Sequence, residues 1–515
     1  MKLNILIGGK AGQGINKISE IVSSILVKQG YFSFNYRDYP SLVRGGHNFN
    51  LLTLSDKRVG STESKLDIIV AMDEKTSELH KGELNPDGII IKPDKFKDSG
   101  RNLNIALAGC LIKILGFEKE TLTEKIEEEF HNEEATKAAI KGYDSAEHKH
   151  NLKKLNNKIK IMTGSRAVAQ GAIDSDIDLY LAYPMTPATG VMHDLASNQI
   201  ENNLMVFQPE NEIAVVNASL GSSFAGAKTM IGSSGGGYDL TTEGLSMQGM
   251  AEIPLVYYLA SRPGPGTGVP TYSMQDDLDV ALRGGHGEFP RIVIAPGDPI
   301  EALEKTNEAF YLSEKFNALS IILSDKHLAE SEFSSDRKPN KTIPITRTKK
   351  APGEIITKAT SYENENGDTT ESATITKQNA DKRIEKYNKI KKESEKFQMI
   401  KIYGNPNAKN LIIGWGSTKT AILDALDDID KSIETNKGNY KFLQVLYMKP
   451  LSNQIKTEIE KADNVILIEQ NLTGQLGRLI REKTGIKINN RILKYDSRPF
   501  NSDKLKEEIL NIKWK

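Results

Sequence analysis

Short apolar runs bounded by glycine, proline or polar residues recur along the chain, separated by longer stretches in which apolar residues fall three and four apart. The runs read as strands and the spaced stretches as helices. Near the start, 2–7 predicts a strand, 8–14 a glycine-rich loop and 15–29 a helix, with further strands at 32–36, 50–55 and 67–72. The alternation is strongest in the middle, where strands are predicted at 179–182, 228–233, 255–259, 291–295 and 318–323. Short apolar strands between helices imply a doubly wound parallel sheet. From 333 the pattern lapses into Lys, Asp, Glu, Asn, Thr and Ser, closing with a polar helix at 381–397. It resumes with strands at 410–414, 442–446 and 464–469. The chain is thus expected to be α/β throughout, with domains at 1–155, 156–332 and 401–515 and a polar connector at 333–400. The tetrapeptide Arg-Gly-Gly-His occurs at 44–47 and 283–286, but the flanks differ and no internal repeat is read from it.

Composition narrows the function. With 515 residues the chain has room for about three or four domains. The 68 basic residues equal the 68 acidic ones, so no nucleic-acid or membrane-surface partner is expected. No apolar run approaches the ~18 residues of a membrane span. The opening Met1-Lys-Leu-Asn-Ile-Leu-Ile-Gly-Gly-Lys10 is too short and too interrupted to read as a signal peptide, which points to the cytoplasm. One thiol, Cys110, can form neither an iron–sulfur site nor an internal disulfide. Its apolar surroundings predict a core position.

Candidate chemistry collects between 183 and 288. Thr186 stands between two prolines in Tyr183-Pro-Met-Thr-Pro187, just after a predicted strand. X-Pro geometry holds such a residue extended, either to aim its hydroxyl into a site or simply to make a rigid turn. Glu212 opens a helix of small and apolar residues, 212–227. A carboxylate there either caps the helix or serves as a functional acid, and Glu210 competes for the second role. Arg262 opens Arg262-Pro-Gly-Pro-Gly-Thr-Gly-Val-Pro270, a backbone specified closely enough to suit carboxylate recognition by a fixed guanidinium. A glycine-rich turn lies at 233–237. The loop at 8–14 follows a strand and opens a helix, so it either cradles a phosphate or permits tight packing. It matches neither the dinucleotide fingerprint nor a P-loop. Metal ligands and electron carriers are missing from this set, so the chain reads as half of a cofactor site that another chain completes.

These motifs, in this order, resemble the alpha subunit of the 2-oxoacid:ferredoxin oxidoreductases in the form with the gamma domain fused at its N-terminus. Tyr183-Pro-Met-Thr-Pro187 is similar to Tyr-Pro-Ile-Thr-Pro, Glu212 falls at the glutamate of Glu-x-Glu-Ile-Ala-Ala, and Arg262–Thr271 resembles Arg-x-Gly-Pro-Ser-Thr-Gly-Leu-Pro-Thr. Gly284-Gly-His-Gly-Glu-Phe-Pro-Arg291 is another match, and Glu469-Gln-Asn-Leu-Thr-Gly-Gln475 resembles the transketolase-like C-terminal domain. Gly164-Ser-Arg-Ala167 departs from Gly-Asn-Glu-Ala, and Ser234-Gly-Gly-Gly237 from Ser-Gly-Pro-Gly. The resemblance implies three α/β domains: gamma, thiamine-pyrimidine-binding and transketolase-C-terminal-like. It implies thiamine-dependent oxidative decarboxylation of 2-oxoglutarate to succinyl-CoA and carbon dioxide, with ferredoxin reduced. A broad or pyruvate-type enzyme is the alternative within the family. A non-catalytic coenzyme A or nucleotide-binding module is the alternative outside it. By the same resemblance Tyr183, Pro184, Glu212, Gly235 and Gly236 hold the cofactor, with Glu212 on N1′ of the aminopyrimidine. Thr186, Arg262 and Thr267 hold the substrate, and Glu212, Thr186 and Arg262 are the catalytic set. Gly12, Gly14, Ser41, Arg44 and Gly45 are implied for coenzyme A. The chain lacks the Gly-Asp-Gly signature of magnesium–diphosphate binding, so Mg2+, diphosphate and an iron–sulfur cluster are expected on a beta subunit in an (alpha–beta)2 heterotetramer.

Overall fold

The computed structural model describes residues 1–41, 46–347, 368–432 and 438–513. It contains three sheets in two compact units. One unit comprises Met1–Met162, Ser331–Arg337 and Phe500–Glu507; the other comprises Thr163–Glu330, Lys338–Pro499 and Glu508–Lys515.

The first sheet runs Leu84–Ile91, Leu66–Ala71, Lys2–Gly9, Asn48–Ser55, Phe32–Asp38, Glu332–Ser335, Lys160–Thr163. It is mixed: Lys2–Gly9 pairs parallel with Leu66–Ala71 and antiparallel with Asn48–Ser55. The helix Ile15–Lys28 packs on it through Ile15, Ile18, Ile21, Val22, Ile25 and Leu26, all buried at helical spacing. Each such side chain contributes about 1.5–3 kcal/mol on burial. Cys110 is buried in this core, where desolvation pushes its thiol up to about 11 and keeps it unreactive.

The second sheet runs Tyr447–Lys449, Arg291–Ile294, Leu319–Asp325, Leu255–Ser261, Thr229–Ser233, Leu179–Leu181, Met205–Phe207. All its pairings are parallel except that of the edge strand Tyr447–Lys449. The expected doubly wound sheet is present, and its central strands are almost wholly apolar because both faces are covered. From Leu179–Leu181 the chain steps outward to Met205–Phe207, then returns to the other side at Thr229–Ser233. That reversal opens a crevice at the carboxyl ends of these strands, where ligands of such sheets bind.

The third sheet, Ile400–Gly404, Tyr440–Val445, Asn410–Trp415, Asn464–Glu469, Asn490–Leu493, belongs to the same compact unit. A buried ion cluster joins it to the central sheet's helices: the Lys419 ammonium meets Asp298 and lies 2.5 Å from Glu301. Glu301 also accepts from Gln444 at 2.7 Å and from the Gly297 amide at 2.9 Å. Burial alone would lower the Lys419 pKa, but the Asp298 and Glu301 carboxylates hold it well above the usual lysine value. The polar helix runs over Ala373–Ser394, starting earlier than the sequence pattern suggests; residues 348–367 lie outside the described residues. No helix among the described residues is long and apolar enough to cross a membrane.

Candidate active site at the switch point

Four neighbouring parallel strands deliver the candidate residues to one end of the central sheet. Leu179–Leu181 leads to Tyr183, Pro184 and Thr186; Met205–Phe207 leads to Glu210 and Glu212; Thr229–Ser233 leads to the glycine turn; Leu255–Ser261 leads to Arg262. The side chain of Asn211 caps the helix Glu212–Phe224 by accepting from the Ala214 amide at 2.9 Å. With that role filled, the Glu212 carboxylate is spared from capping. Glu212 is 5% exposed, and its Oε1 is shielded from solvent without a hydrogen-bond partner among the described residues. Glu210 is exposed.

Glycine is what lets the backbone approach this carboxylate. A Cβ on Gly237 would sit 2.1 Å from the Ser233 hydroxyl and 2.7 Å from Glu212 Oε1. One on Gly235 would sit 2.4 Å from Asp277 Oδ1. These glycines form the first turn of the helix Gly235–Ala251, so its unsatisfied amides and positive end face the same space. Ser234 Oγ is also shielded and without a partner among the described residues, and Ser261 Oγ and Asp277 Oδ2, likewise shielded, face each other without closing a hydrogen bond of good geometry. Unpaired buried polar atoms are costly, and four of them at one crevice indicate a site built for a polar ligand.

Arg262 is half-buried, and its Nη1 donates to the Thr186 carbonyl at 2.9 Å. That bond brings the arginine and the Pro-Met-Thr-Pro loop together. Burial lowers the Arg262 pKa, and nearby Asp277 opposes this. Asp276 accepts from the Gly264 amide at 3.2 Å and so pins the arginine loop. Thr267, Tyr183 and Pro184 are exposed at the mouth, and a Cβ on Gly236 would meet the Gly266 carbonyl at an ordinary 3.5 Å. Sequence reasoning missed Asp276 and Asp277; the only signal was an acidic pair just before an apolar helix.

The sequence motif Glu469-Gln-Asn-Leu-Thr-Gly-Gln475 reaches the site indirectly. The buried Glu469 carboxylate accepts from Trp415 Nε1 at 2.9 Å and from the Leu476 and Gly477 amides at 3.0 and 3.1 Å. Gln470 exchanges hydrogen bonds with Gln275, its amide donating at 3.0 Å and its carbonyl accepting at 2.8 Å. Gln475 donates to the Asp276 carbonyl at 2.7 Å and accepts from the Asp279 amide at 3.1 Å. The motif is therefore a clasp that fixes the segment carrying Asp276 and Asp277.

The second candidate set lies in the other unit. Gly12 and Gly14 have left-handed φ of 90° and 83°, and a Cβ on Gly14 would fall 2.4 Å from Asn104 Nδ2. A Cβ on Gly9 would clash with Met72 at 2.6 Å, so close packing accounts for part of this glycine loop. Ser41 is exposed; Arg44 and Gly45 lie outside the described residues. Among the described residues no group of three His, Cys, Asp or Glu is placed to hold a metal.

Two family profiles match: the thiamine-diphosphate-binding profile of the pyruvate flavodoxin/ferredoxin oxidoreductases over residues 170–399, and the pyruvate ferredoxin/flavodoxin oxidoreductase profile over 4–99. A Sulfolobus protein named 2-oxoacid:ferredoxin oxidoreductase subunit alpha is 28% identical, covering 99% of this chain and 97% of the relative. The chain is a homologue of these alpha subunits. Another relative, the 2-oxoglutarate oxidoreductase subunit KorA of Mycobacterium tuberculosis, is 37% identical over 34% of this chain and 26% of its own length. The fold is that of the 2-oxoglutarate:ferredoxin oxidoreductase of Magnetococcus marinus, solved with 2-oxoglutarate, coenzyme A and succinyl-CoA bound. The two superpose with a TM-score of 0.88 at 24% identity over 99% of both chains.

Proposed function

We propose that this chain is the alpha subunit of a 2-oxoacid:ferredoxin oxidoreductase that converts 2-oxoglutarate and coenzyme A to succinyl-CoA and carbon dioxide, reducing ferredoxin in the cytoplasm. The observation that carries this reading is Glu212, a buried carboxylate in a glycine cradle whose Oε1 has no partner among the described residues. An aminopyrimidine ring nitrogen that shares one proton with the carboxyl satisfies that demand, so the residues present fit the pyrimidine half of thiamine diphosphate. Bound there, the cofactor supplies the electron sink that a 2-oxoacid needs to lose its carboxylate.

The chain's own residues then have separable roles. Glu212 holds or moves the proton at N1′, and Gly235 and Gly236 let the helix end approach the ring beside Tyr183 and Pro184. Arg262, with Thr186 and Thr267, binds the substrate carboxylate. Gly12, Gly14, Ser41, Arg44 and Gly45 are assigned to coenzyme A. We assign 1–155 to the gamma domain, 156–332 to pyrimidine binding, 333–400 to the connector and 401–515 to the transketolase-like domain. A beta subunit supplies Mg2+, the diphosphate site and an iron–sulfur cluster in an (alpha–beta)2 tetramer. Exposed Tyr183, Met205, Phe207 and Ile213 support such a partner, because they place large apolar side chains at the same edge and end of the central sheet as the site.

The 2-oxoglutarate assignment is supported by relatives named for that substrate, among them a KorA subunit of Archaeoglobus fulgidus at 34% identity. A broad 2-oxoacid enzyme that also takes pyruvate is the second reading, favoured by the names of the relatives that match almost the whole chain. The test is viologen reduction by the chain co-purified with its beta subunit, given coenzyme A and either oxoacid. Activity with 2-oxoglutarate alone supports the narrow reading and activity with both the broad one. No reduction by a complex carrying cofactor and cluster would refute both.

A further inference from the structure

Asp277 stands at the N-cap position of the helix Leu278–Arg283 but makes no capping bond. Its carboxylate instead lies against Gly235, where an added Cβ would be 2.4 Å from Oδ1 and 2.7 Å from Oδ2. Asp277 is half-buried as a residue, yet Oδ2 is shielded from solvent, with the Ser261 hydroxyl facing the carboxyl but no hydrogen bond of good geometry closed among the described residues. The guanidinium of Arg262 is close enough to attract it, with no contact ion pair between the two among the described residues. Two neighbours fix its backbone: Gln475 holds Asp276 and Asp279 on either side, and the Asp276 carboxylate is tied to Gly264. These bonds hold the Asp277 backbone beside Gly235 and the arginine loop.

We propose that Asp277 is a positioning residue that competes with the substrate carboxylate for Arg262 and the Gly235 helix end, so that the site takes a 2-oxoacid anion when Asp277 is protonated. This rests on the assignment of Arg262 to carboxylate binding. Two like charges cannot share one guanidinium and one helix end at low cost in a crevice shielded from water. The charged groups that act on Asp277 are the Asp276 carboxylate on its own segment, Asp239 on the glycine helix and Arg262 on the strand-end loop. Burial is the main cause that pushes the Asp277 carboxyl up to about 7; Asp276 and Asp239 add to it, and Ser261 and Arg262 oppose it. The switch therefore operates across neutral pH.

The test measures oxalate, a non-decarboxylating carboxylate probe, binding to the thiamine-loaded complex with its beta subunit, by calorimetry across neutral pH. In the unsubstituted protein the dissociation constant should rise about tenfold per pH unit above the Asp277 value, as the competent fraction falls. Asp277→Asn should flatten that slope, whereas the Asp276→Asn control should keep it. A pH-independent affinity in the unsubstituted complex would overturn the proposal without any variant. An equal weakening at every pH in Asp277→Asn would also overturn it, because that is the signature of a structural role. Arg262→Lys separates the underlying assignment: if oxalate binding ignores that substitution, Arg262 is not the carboxylate group and the earlier reading fails instead.

Discussion

The Asp277 carboxyl also makes a prediction that needs neither partner nor cofactor. Its ordinary value of 3.8 is raised to about 7, chiefly by burial. The folded chain thus keeps a proton that the unfolded chain surrenders above 3.8. The associated stability is fully present below 3.8 and is lost as pH rises towards about 7, with little further change beyond. The difference, 7 − 3.8 = 3.2, sets a ceiling of roughly 4 kcal/mol at about 1.4 kcal/mol per pH unit. Because the residue is half-buried, solvent screening reduces this to about 2 kcal/mol. Asp277→Asn preserves the shape and removes the ionisation. Its amide, placed where Oδ2 is unpartnered, costs about 1–3 kcal/mol at every pH, so the slope and not the offset is the readout. Scanning calorimetry of the chain alone should show the unsubstituted melting temperature falling between pH 5 and pH 8 by about 2 °C more than that of Asp277→Asn, because about two-thirds of that energy is lost in this window at about 1–2 °C per kcal/mol for a cooperative unit of this size. Parallel curves for the two proteins would refute the reasoning.

Glu212→Gln, which keeps the side-chain shape, should leave the melting temperature unchanged and slow thiazolium proton exchange in the complex by about 10²–10⁴-fold; undiminished exchange removes Glu212 from the chemistry. Gly237→Ala must displace the Ser233 hydroxyl and the Glu212 carboxylate, so it should cost about 1–3 kcal/mol in stability and strip thiamine diphosphate from the purified complex. Lys419→Met leaves Asp298 and Glu301 without their ammonium in a buried cluster, and denaturant unfolding should register a loss of about 3–5 kcal/mol. Gln470→Ala breaks its side-chain bonds, at 2.8 and 2.9 Å, to the Ser273 and Arg498 carbonyls. The loosened clasp should show as faster amide exchange at 273–279.

Periodicity made most of the fold legible, because strands buried on both faces are apolar throughout. The central strands predicted from short apolar runs are found within a residue or two at most ends, as at Leu255–Ser261 and Leu319–Asp325. Each miss has its own physical cause. Met205–Phe207 is a three-residue edge strand with two side chains exposed, so it carries no burial signal. Tyr447–Lys449 follows Tyr440–Val445 almost directly, yet pairs with Arg291–Ile294 in a different sheet. Glu332–Ser335 looks like the start of a polar connector, but it adds to the first sheet, with Glu332 paired to Arg37 at 2.5 Å. Site residues carried by a distinctive motif, such as Thr186 and Arg262, were visible as candidates. Asp277 was not, because its environment depends on Gly235, which is remote in sequence and meets it only in the fold.

The charge balance at the crevice explains why the site reads as half of something. Among the described residues, Arg262 is the cation that acts on Asp277, against the carboxyl groups of Asp239 and Asp276, with Glu212 beside Gly237. One guanidinium, already bonded to the Thr186 carbonyl, suits a single carboxylate; it cannot also neutralise a diphosphate, which needs a divalent cation or several basic groups. The unpartnered acceptors call instead for donors, and an aminopyrimidine carries donors. With one guanidinium and the Gly235 helix end to attract it, a single carboxylate suits the crevice better than a diphosphate does, while the glycine cradle accepts the ring. The two ends of the cofactor are therefore best served by two different surfaces, and the exposed apolar edge at Met205 and Phe207 marks where the second can be brought alongside.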